Sequence, residues 1–279
     1  MTSFSAQTQF AGQFLEAAAV RPGKVLLATD FDGTLALIVP NPDDSRLLPA
    51  TADAFAQLGP ALGGIAIITG RGVATVRRLG RLEGRPGLER LVVLGQYGAE
   101  RWDAATGEET PHEVPSSIAA ARPEIEELLA DARFVGVRLE DKGRALGVHT
   151  RPAPDAAAAY EALREPLGSI AARHGLVLEP GRSVLELRAS SLTKGDALRE
   201  LVRETGASAV AMCGDDLGDL PAFDVLDELR AEGLATCAVV AASAEQPALA
   251  HRADVLCEGP EGVAAWLAEL ARAVEAPLS

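Results

Sequence analysis

A chain of 279 residues, 48% hydrophobic and 24% charged, has the apolar content to bury a full core and the length for one large α/β domain with a smaller one inserted. Its formal net charge of −14, with no Lys/Arg-rich stripe interleaved with aromatics, argues against nucleic acid as a partner and implies that an anionic substrate would need a local cation. Met1–Val20 has no basic stretch followed by an apolar h-region, and no apolar run approaches the ~20 residues of a membrane span. A cytoplasmic protein without a membrane partner is expected. The three cysteines, Cys213, Cys237 and Cys257, lack C-x-x-C spacing and are expected to be free thiols in a reducing compartment.

Short aliphatic runs alternate with helical patterns, which predicts parallel strands joined by helical crossovers. In chain order the strands are Lys24–Thr29, Gly64–Ile68, Arg90–Leu94, Ala209–Cys213, Ala235–Val240 and Asp254–Leu256. Helices are expected at Pro49–Leu58, Lys194–Glu204, Leu220–Glu232 and Val263–Val274. The pattern changes between about Thr110 and Leu187. There it reads helix Ser117–Ala130, strands Phe134–Leu139 and Ala145–Thr150, helix Asp155–His174, and strands Leu176–Glu179 and Val184–Leu187. The turn-forming residues Asp141-Lys142-Gly143 and Pro180-Gly181-Arg182 predict two antiparallel hairpins, so the insert is α+β. Pro123 and Pro166 lie inside its predicted helices.

Chemistry concentrates at strand ends. Asp30-Phe31-Asp32-Gly33-Thr34 follows the first apolar strand, and the period-two alternation of a strand sends Asp30 and Asp32 to the same side. Two converging carboxylates need a cation or a shared proton, and either suits phosphoryl chemistry. Thr69-Gly70-Arg71 ends the second strand at the mouth of a helix whose free N–H groups suit a phosphate, although Thr69 read alone more readily caps the helix beginning near Gly72. Lys194 opens a helix against the macrodipole, which an adjacent phosphoryl oxygen or Asp30 would explain. Gly214-Asp215-Asp216, with Asp219 beyond, brings further acids to a strand end, more than a helix cap requires.

These four signatures, in this order and with a domain inserted between the second and third, resemble the haloacid dehalogenase superfamily of phosphatases. The resemblance implies an α/β, Rossmann-like core of residues 1–109 and 189–279 with a parallel sheet, and an inserted α+β cap of the C2B type over residues 110–188. A finer resemblance, to the trehalose-6-phosphate phosphatases, rests on Ile38-Val39-Pro40-Asn41-Pro42, Gly95-Gln96-Tyr97-Gly98-Ala99-Glu100, Glu140-Asp141-Lys142-Gly143, Val148-His149-Thr150-Arg151 and Val184-Leu185-Glu186-Leu187-Arg188.

The family resemblance implies Mg2+-dependent hydrolysis of trehalose 6-phosphate. Asp30 is then the nucleophile that forms an aspartyl-phosphate, and Asp32 the acid and later the base. Thr69 and Lys194 bind phosphoryl oxygens, with Arg71 also on the substrate. Mg2+ is held by the carboxylates of Asp30 and Asp215 and the carbonyl of Asp32, while Asp216 and Asp219 orient that shell. Glu140, Lys142 and Glu186 face the sugar, and the cap closes as a lid. Functional association with a trehalose-6-phosphate synthase is the implied partnership. Read without the family, Glu140 and Lys142 make a solvated turn and Glu186 an exposed strand position; Tyr97 either stacks on a sugar or packs at its strand end. His149 is read as structural. One departure stands out: the family's G-D-D-x-T-D-E has Gly218 for Thr and Leu220 for Glu, which removes a group supporting the metal. The rival readings are a phosphatase for another sugar phosphate, a mutase, and a catalytically silent partner of a trehalose-synthesising complex.

Overall fold

The computed structural model describes residues 3–109, 114–181, 183–242 and 247–275. In chain order the first part contains β1 (Phe4–Ala6), α1 (Gln9–Val20), β2 (Val25–Thr29), α2 (Pro49–Ala61), β3 (Gly64–Ile68), α3 (Val73–Gly80), β4 (Leu91–Gly95) and β5 (Glu100–Asp103). The middle contains α4 (Ser116–Leu129), β6 (Arg138–Asp141), β7 (Ala145–His149), α5 (Ala156–His174), β8 (Val177–Gly181) and β9 (Val184–Arg188). The last part contains α6 (Lys194–Thr205), β10 (Ala209–Gly214), α7 (Leu220–Ala231), β11 (Ala235–Ala241), β12 (Val255–Cys257) and α8 (Gly259–Glu275). Two compact units result, residues 1–110 with 192–279, and residues 111–191.

The larger unit is built on an eight-stranded sheet in the order β1-β12-β11-β10-β2-β3-β4-β5. Its six inner strands are parallel, and β1 and β5 pair antiparallel at the edges. The six inner strands match the strands expected from the sequence to within one residue at each end. They were legible because a parallel strand covered on both faces is apolar throughout: all of Val25–Thr29 is buried. Alternation divides β2 between two cores. Val25 and Leu27 pack in one cluster with Phe14, Phe55 and Trp266 from α1, α2 and α8. Leu26 and Ala28 pack in the other with Leu198, Leu201, Phe223 and Leu226 from α6 and α7. Since the chain leaves β2 toward β3 on one side and returns to β10 on the other, the carboxyl ends of β2 and β10 form a topological switch point.

The smaller unit is a four-stranded antiparallel sheet, β6-β7-β9-β8. Leu146, Val148, Leu185 and Leu187 join Ile118, Ile125, Leu163 and Leu167 from α4 and α5 in a single core. Pro123 and Pro166 are both accommodated inside continuous helices. The strand expected at Phe134–Leu139 is corrected: residues 132–134 form a 3-10 turn and β6 begins only at Arg138. Phe134 is buried from that turn, and Gly136 at φ 87° bends the chain before the strand starts. The turn expected at Pro180-Gly181-Arg182 is also displaced, because Gly181 still pairs with Val184 and Ser183 takes φ 51°. Arg182 itself lies outside the described residues.

Candidate active site

The register of the central strands brings the predicted motifs together. Cys213 of β10 lies beside Thr29 of β2, and the Asp30 N–H donates to the Cys213 carbonyl at 2.8 Å. Asp30 and Asp215 therefore leave adjacent strand ends. Gly33 turns the chain at φ 74°, and a Cβ there would fall 2.1 Å from Asp215 Oδ2, so the turn is also the seat of that carboxylate. Thr34, fully buried, donates from Oγ1 to Asp215 Oδ1 at 3.1 Å.

Asp219 is 0% exposed. Its Oδ2 accepts the N–H groups of Asp215 at 2.9 Å and Asp216 at 3.1 Å, and its Oδ1 accepts from Lys194 Nζ at 2.6 Å. Lys194, also buried, lies 2.9 Å from Asp30 Oδ1. Its place at the start of α6 is thus explained by two carboxylates. Thr193 and Asp196 form a capping box that holds that helix start.

Asp30, Asp215 and Asp219 each offer a carboxylate oxygen within 4.8 Å of the others. Three ionised acids against one ammonium leave two negative charges uncompensated in a buried site. The energetic signature is clear. Burial, with Asp219, Asp216 and Asp32 adding to it and Lys194 opposing, pushes Asp30 up to about 7. Burial and the charges of Asp30, Asp219 and Asp216 push Asp215 up to about 9. Burial alone would lower Lys194, but Asp219 and Asp30 more than offset it and hold it well above its ordinary value. An all-oxygen donor set with excess negative charge fits a hard divalent cation.

This geometry carries a pH prediction. In metal-free protein the folded state binds more protons than the unfolded chain wherever Asp30 and Asp215 are protonated only when folded. Their contribution is therefore fully present below the ordinary carboxylate range and is lost as pH rises through about 7 and about 9. The denaturant midpoint of chelator-treated protein is expected to fall from pH 5 to pH 9, and saturating Mg2+ to flatten that slope. An unchanged slope with Mg2+ would contradict the cation site.

The remaining motif residues are placed differently from one another. Asp32 turns away from the acid trio to a fork from Arg71, with Nε to Oδ2 at 2.5 Å and Nη2 to Oδ1 at 2.7 Å, and Ser45 Oγ adds a contact at 3.2 Å. Asp216 is exposed and caps the turn after it by accepting from Gly218 N–H at 2.9 Å. Thr69 is buried at the end of β3 and does not cap α3, whose N-cap is Gly72. Its Oγ1 accepts from Arg71 N–H at 3.3 Å. At the start of α3 one N–H expected to be open to a phosphate, that of Val73, is taken by Glu100 Oε2 at 2.8 Å. Thr34, Ser45 and Glu100 were missed from the sequence. Thr34 and Glu100 carried a signal, as the last residues of D-x-D-G-T and of Gly95-Gln96-Tyr97-Gly98-Ala99-Glu100, whereas Ser45 carried none.

In the smaller unit, Glu140, Gly147, Glu186 and Glu179 align as one row across the four strands, on the face opposite the core. Lys142 Nζ meets Glu186 Oε2 at 2.5 Å. Glu186 is buried, not an exposed strand position, and its Oε1 has no hydrogen-bond partner among the described residues. His149 Nε2 lies 2.7 Å from Glu140 Oε2, an acid–His pair that the sequence did not disclose.

Comparison with known proteins first gives the class. The fold is that of haloacid dehalogenase-like hydrolases. It is similar to a Bacteroides thetaiotaomicron hydrolase of that description, with TM-score 0.59 and 15% identity over 88% of this chain and 98% of the other. It is also similar to the C-terminal domain of the C. albicans trehalose-6-phosphate phosphatase, with TM-score 0.75 and 19% identity over 96% of this chain and 98% of that one. The sequence pattern of the trehalose-phosphatase family matches residues 28–254. The chain belongs to the trehalose-phosphatase family, and is a phosphatase.

Among its relatives, the trehalose-6-phosphate phosphatase of Escherichia coli K12 is 30% identical over 204 residues, covering 72% of this chain and 73% of that protein. The trehalose-phosphate phosphatase of Mycobacterium tuberculosis H37Rv is 33% identical over 215 residues, covering 71% of this chain. That match covers only 50% of the mycobacterial protein. No helix among the described residues is long and apolar enough to cross a membrane.

Proposed function

We propose that this phosphatase hydrolyses trehalose 6-phosphate to trehalose and inorganic phosphate, with Mg2+ as cofactor and Asp30 as nucleophile. The observation that carries the reading is the buried trio Asp30, Asp215 and Asp219 closed by Lys194 at the switch point of the sheet. The proposal divides the chain into a hydrolase core, residues 1–109 and 189–279, and an inserted cap, 110–188.

Lys194 holds Asp30 Oδ1, which leaves the other carboxylate oxygen to attack phosphorus in line. The P–O bond to the sugar breaks, and Asp32 protonates the departing oxygen. Asp32 then takes a proton from water, whose oxygen attacks the aspartyl-phosphate and restores the Asp30 carboxylate with release of phosphate. For this Asp32 must be released by Arg71, whose fork matches a phosphoryl group as well as a carboxylate. Thr69 and Lys194 stabilise charge on the transferring group. Bound at Asp30, Asp215 and the Asp32 carbonyl, with Asp216 and Asp219 supporting that shell, Mg2+ supplies neutralisation of phosphoryl charge.

Glu140, Lys142 and Glu186 are the proposed sugar-binding groups. The unpartnered Oε1 of buried Glu186 supports this assignment, since a buried acceptor is costly until a donor such as a sugar hydroxyl reaches it. Lys142→Ala is expected to raise KM for trehalose 6-phosphate about 10- to 100-fold, the worth of a hydrogen bond to a charged group, with a smaller change in kcat. Steady-state kinetics on the two proteins checks this.

The test of the function is phosphate release from trehalose 6-phosphate beside glucose 6-phosphate and sucrose 6-phosphate, with and without Mg2+. Selective, metal-dependent release from the first is expected. Preference for another sugar phosphate overturns the substrate and keeps the chemistry. Absence of release from any of them favours a silent partner of a trehalose-6-phosphate synthase.

A further inference from the structure

The short turn between β4 and β5 is strained. Gln96 and Tyr97 take φ 49° and 60°, and Gly98 follows at 104°. Consecutive left-handed conformations at two residues with side chains are unfavourable, and persist where the surroundings impose them. Here the strained backbone aims two N–H groups at one neighbouring segment. Gln96 donates to the Arg71 carbonyl and Tyr97 to the Thr69 carbonyl, each at 3.0 Å. Glu100, next along the chain at the start of β5, adds the third clip through Oε2 to the Val73 N–H at 2.8 Å.

The approach is as close as backbone allows. A Cβ on Gly95 would lie 2.7 Å from Val73 N and 2.8 Å from the Arg71 carbonyl oxygen. The Tyr97 ring covers Gly70, its Oη 2.8 Å from where a Cβ of Gly70 would be. Thus Tyr97 packs at its strand end. Residues 69 to 73, which carry Thr69 and Arg71, are held along one side at the carbonyls of 69 and 71 and the N–H of 73. Thr69, Gln96 and Glu100 are all buried, so water does not compete for these bonds.

We propose that Glu100 is a positioning residue that fixes the Thr69–Val73 segment in the form that binds the phosphoryl group, an inference that rests on the phosphatase reading above. Glu100 touches no reacting atom. It acts by setting the position of Thr69 Oγ1 and of the Arg71 backbone, and its negative charge is favoured beside the first turn of α3. Displacing such a segment by a fraction of an ångström weakens every contact it offers to phosphate.

The test compares Glu100→Ala, Glu100→Asp and Glu100→Gln in the full chain. The readouts are KM and kcat with trehalose 6-phosphate, and calorimetric titration of inorganic phosphate in the presence of Mg2+. The alanine variant lacks the acceptor and the aspartate variant is one methylene too short, so both are expected to raise KM and the phosphate Kd together by about tenfold or more. The glutamine variant, whose amide oxygen can take the same N–H, is expected to stay within about threefold of wild type. If the alanine variant fails to fold, the aspartate and glutamine pair decides the question. Wild-type KM and Kd in the aspartate variant, or equal impairment of the folded glutamine variant, overturns the proposal. Failure of wild type on every sugar phosphate defeats the enzymatic reading instead, and the phosphate titration still decides the role of Glu100.

Discussion

Asp30→Asn is expected to reduce phosphate release from trehalose 6-phosphate by at least about 10^3-fold, the scale seen when a nucleophile is removed, without loss of the fold. The substitution is nearly isosteric. Its amide oxygen can still accept from Lys194, and Lys194 keeps Asp219 as an ionic partner at 2.6 Å. The electrostatics favour the variant in metal-free protein. Burial already pushes Asp30 up to about 7, so at higher pH the native site holds a charge it disfavours, which asparagine removes. The unfolding midpoint of the chelated variant at pH 8 is therefore expected at or above that of wild type. Stopped-time phosphate assays and denaturant titrations on the same preparations check both statements. Residual activity above about 1% of wild type would show that another group attacks phosphorus.

Lys194→Met is expected to cost both activity and stability. Lys194 is 3% exposed and, among the described residues, is the one cation in direct contact with Asp30 and Asp219. Removing one partner of a buried ion pair typically costs roughly 3–5 kcal/mol, because the other charge is left buried without compensation. Activity is expected to fall by roughly 10^2- to 10^3-fold, the range for loss of one group that stabilises transition-state charge. Without the ammonium, Asp30 and Asp219 are driven further toward protonation, so the stability loss grows as pH rises through neutrality. Added Mg2+ is expected to recover part of the stability and little of the activity, since it neutralises the acids without replacing the donor. Guanidinium titrations of both proteins at pH 6 and pH 8, with and without Mg2+, measure this. A variant as stable as wild type in chelator would show that the acids are already neutral, and would remove the argument for a cation.

The inner sheet and the helices around it were legible in the sequence because each is dictated locally. Continuous apolar runs such as Val25–Thr29 mark strands covered on both faces, and the acids that interrupt them mark the strand ends. The edges were less legible. Three-residue β1 and four-residue β5 are too short to carry a period, and are strands because β12 and β4 offer unpaired edges. The strand expected at Phe134–Leu139 failed for a related reason: an apolar, turn-buried Phe134 looks the same as the first residue of a strand.

Sequence alone singled out Asp30, Asp32, Thr69, Asp215 and Asp219 by strand-end position and residue type, and Lys194 by its place at a helix start, as candidates for the chemistry. Only the tertiary structure decided which of them become partners. Local pattern cannot say that Asp219 joins Asp30 and Asp215 around Lys194 while Asp32 turns to Arg71, since Lys194 stands 164 positions from Asp30 and Arg71 stands 39 positions from Asp32. Nor can it say that Glu100 reaches back 27 residues to Val73, or that Glu186 is buried against Lys142. The physical reason is the same throughout. Strand and helix periodicities are short-range properties of the chain, whereas the charge balance of a buried site is settled by which strands become neighbours.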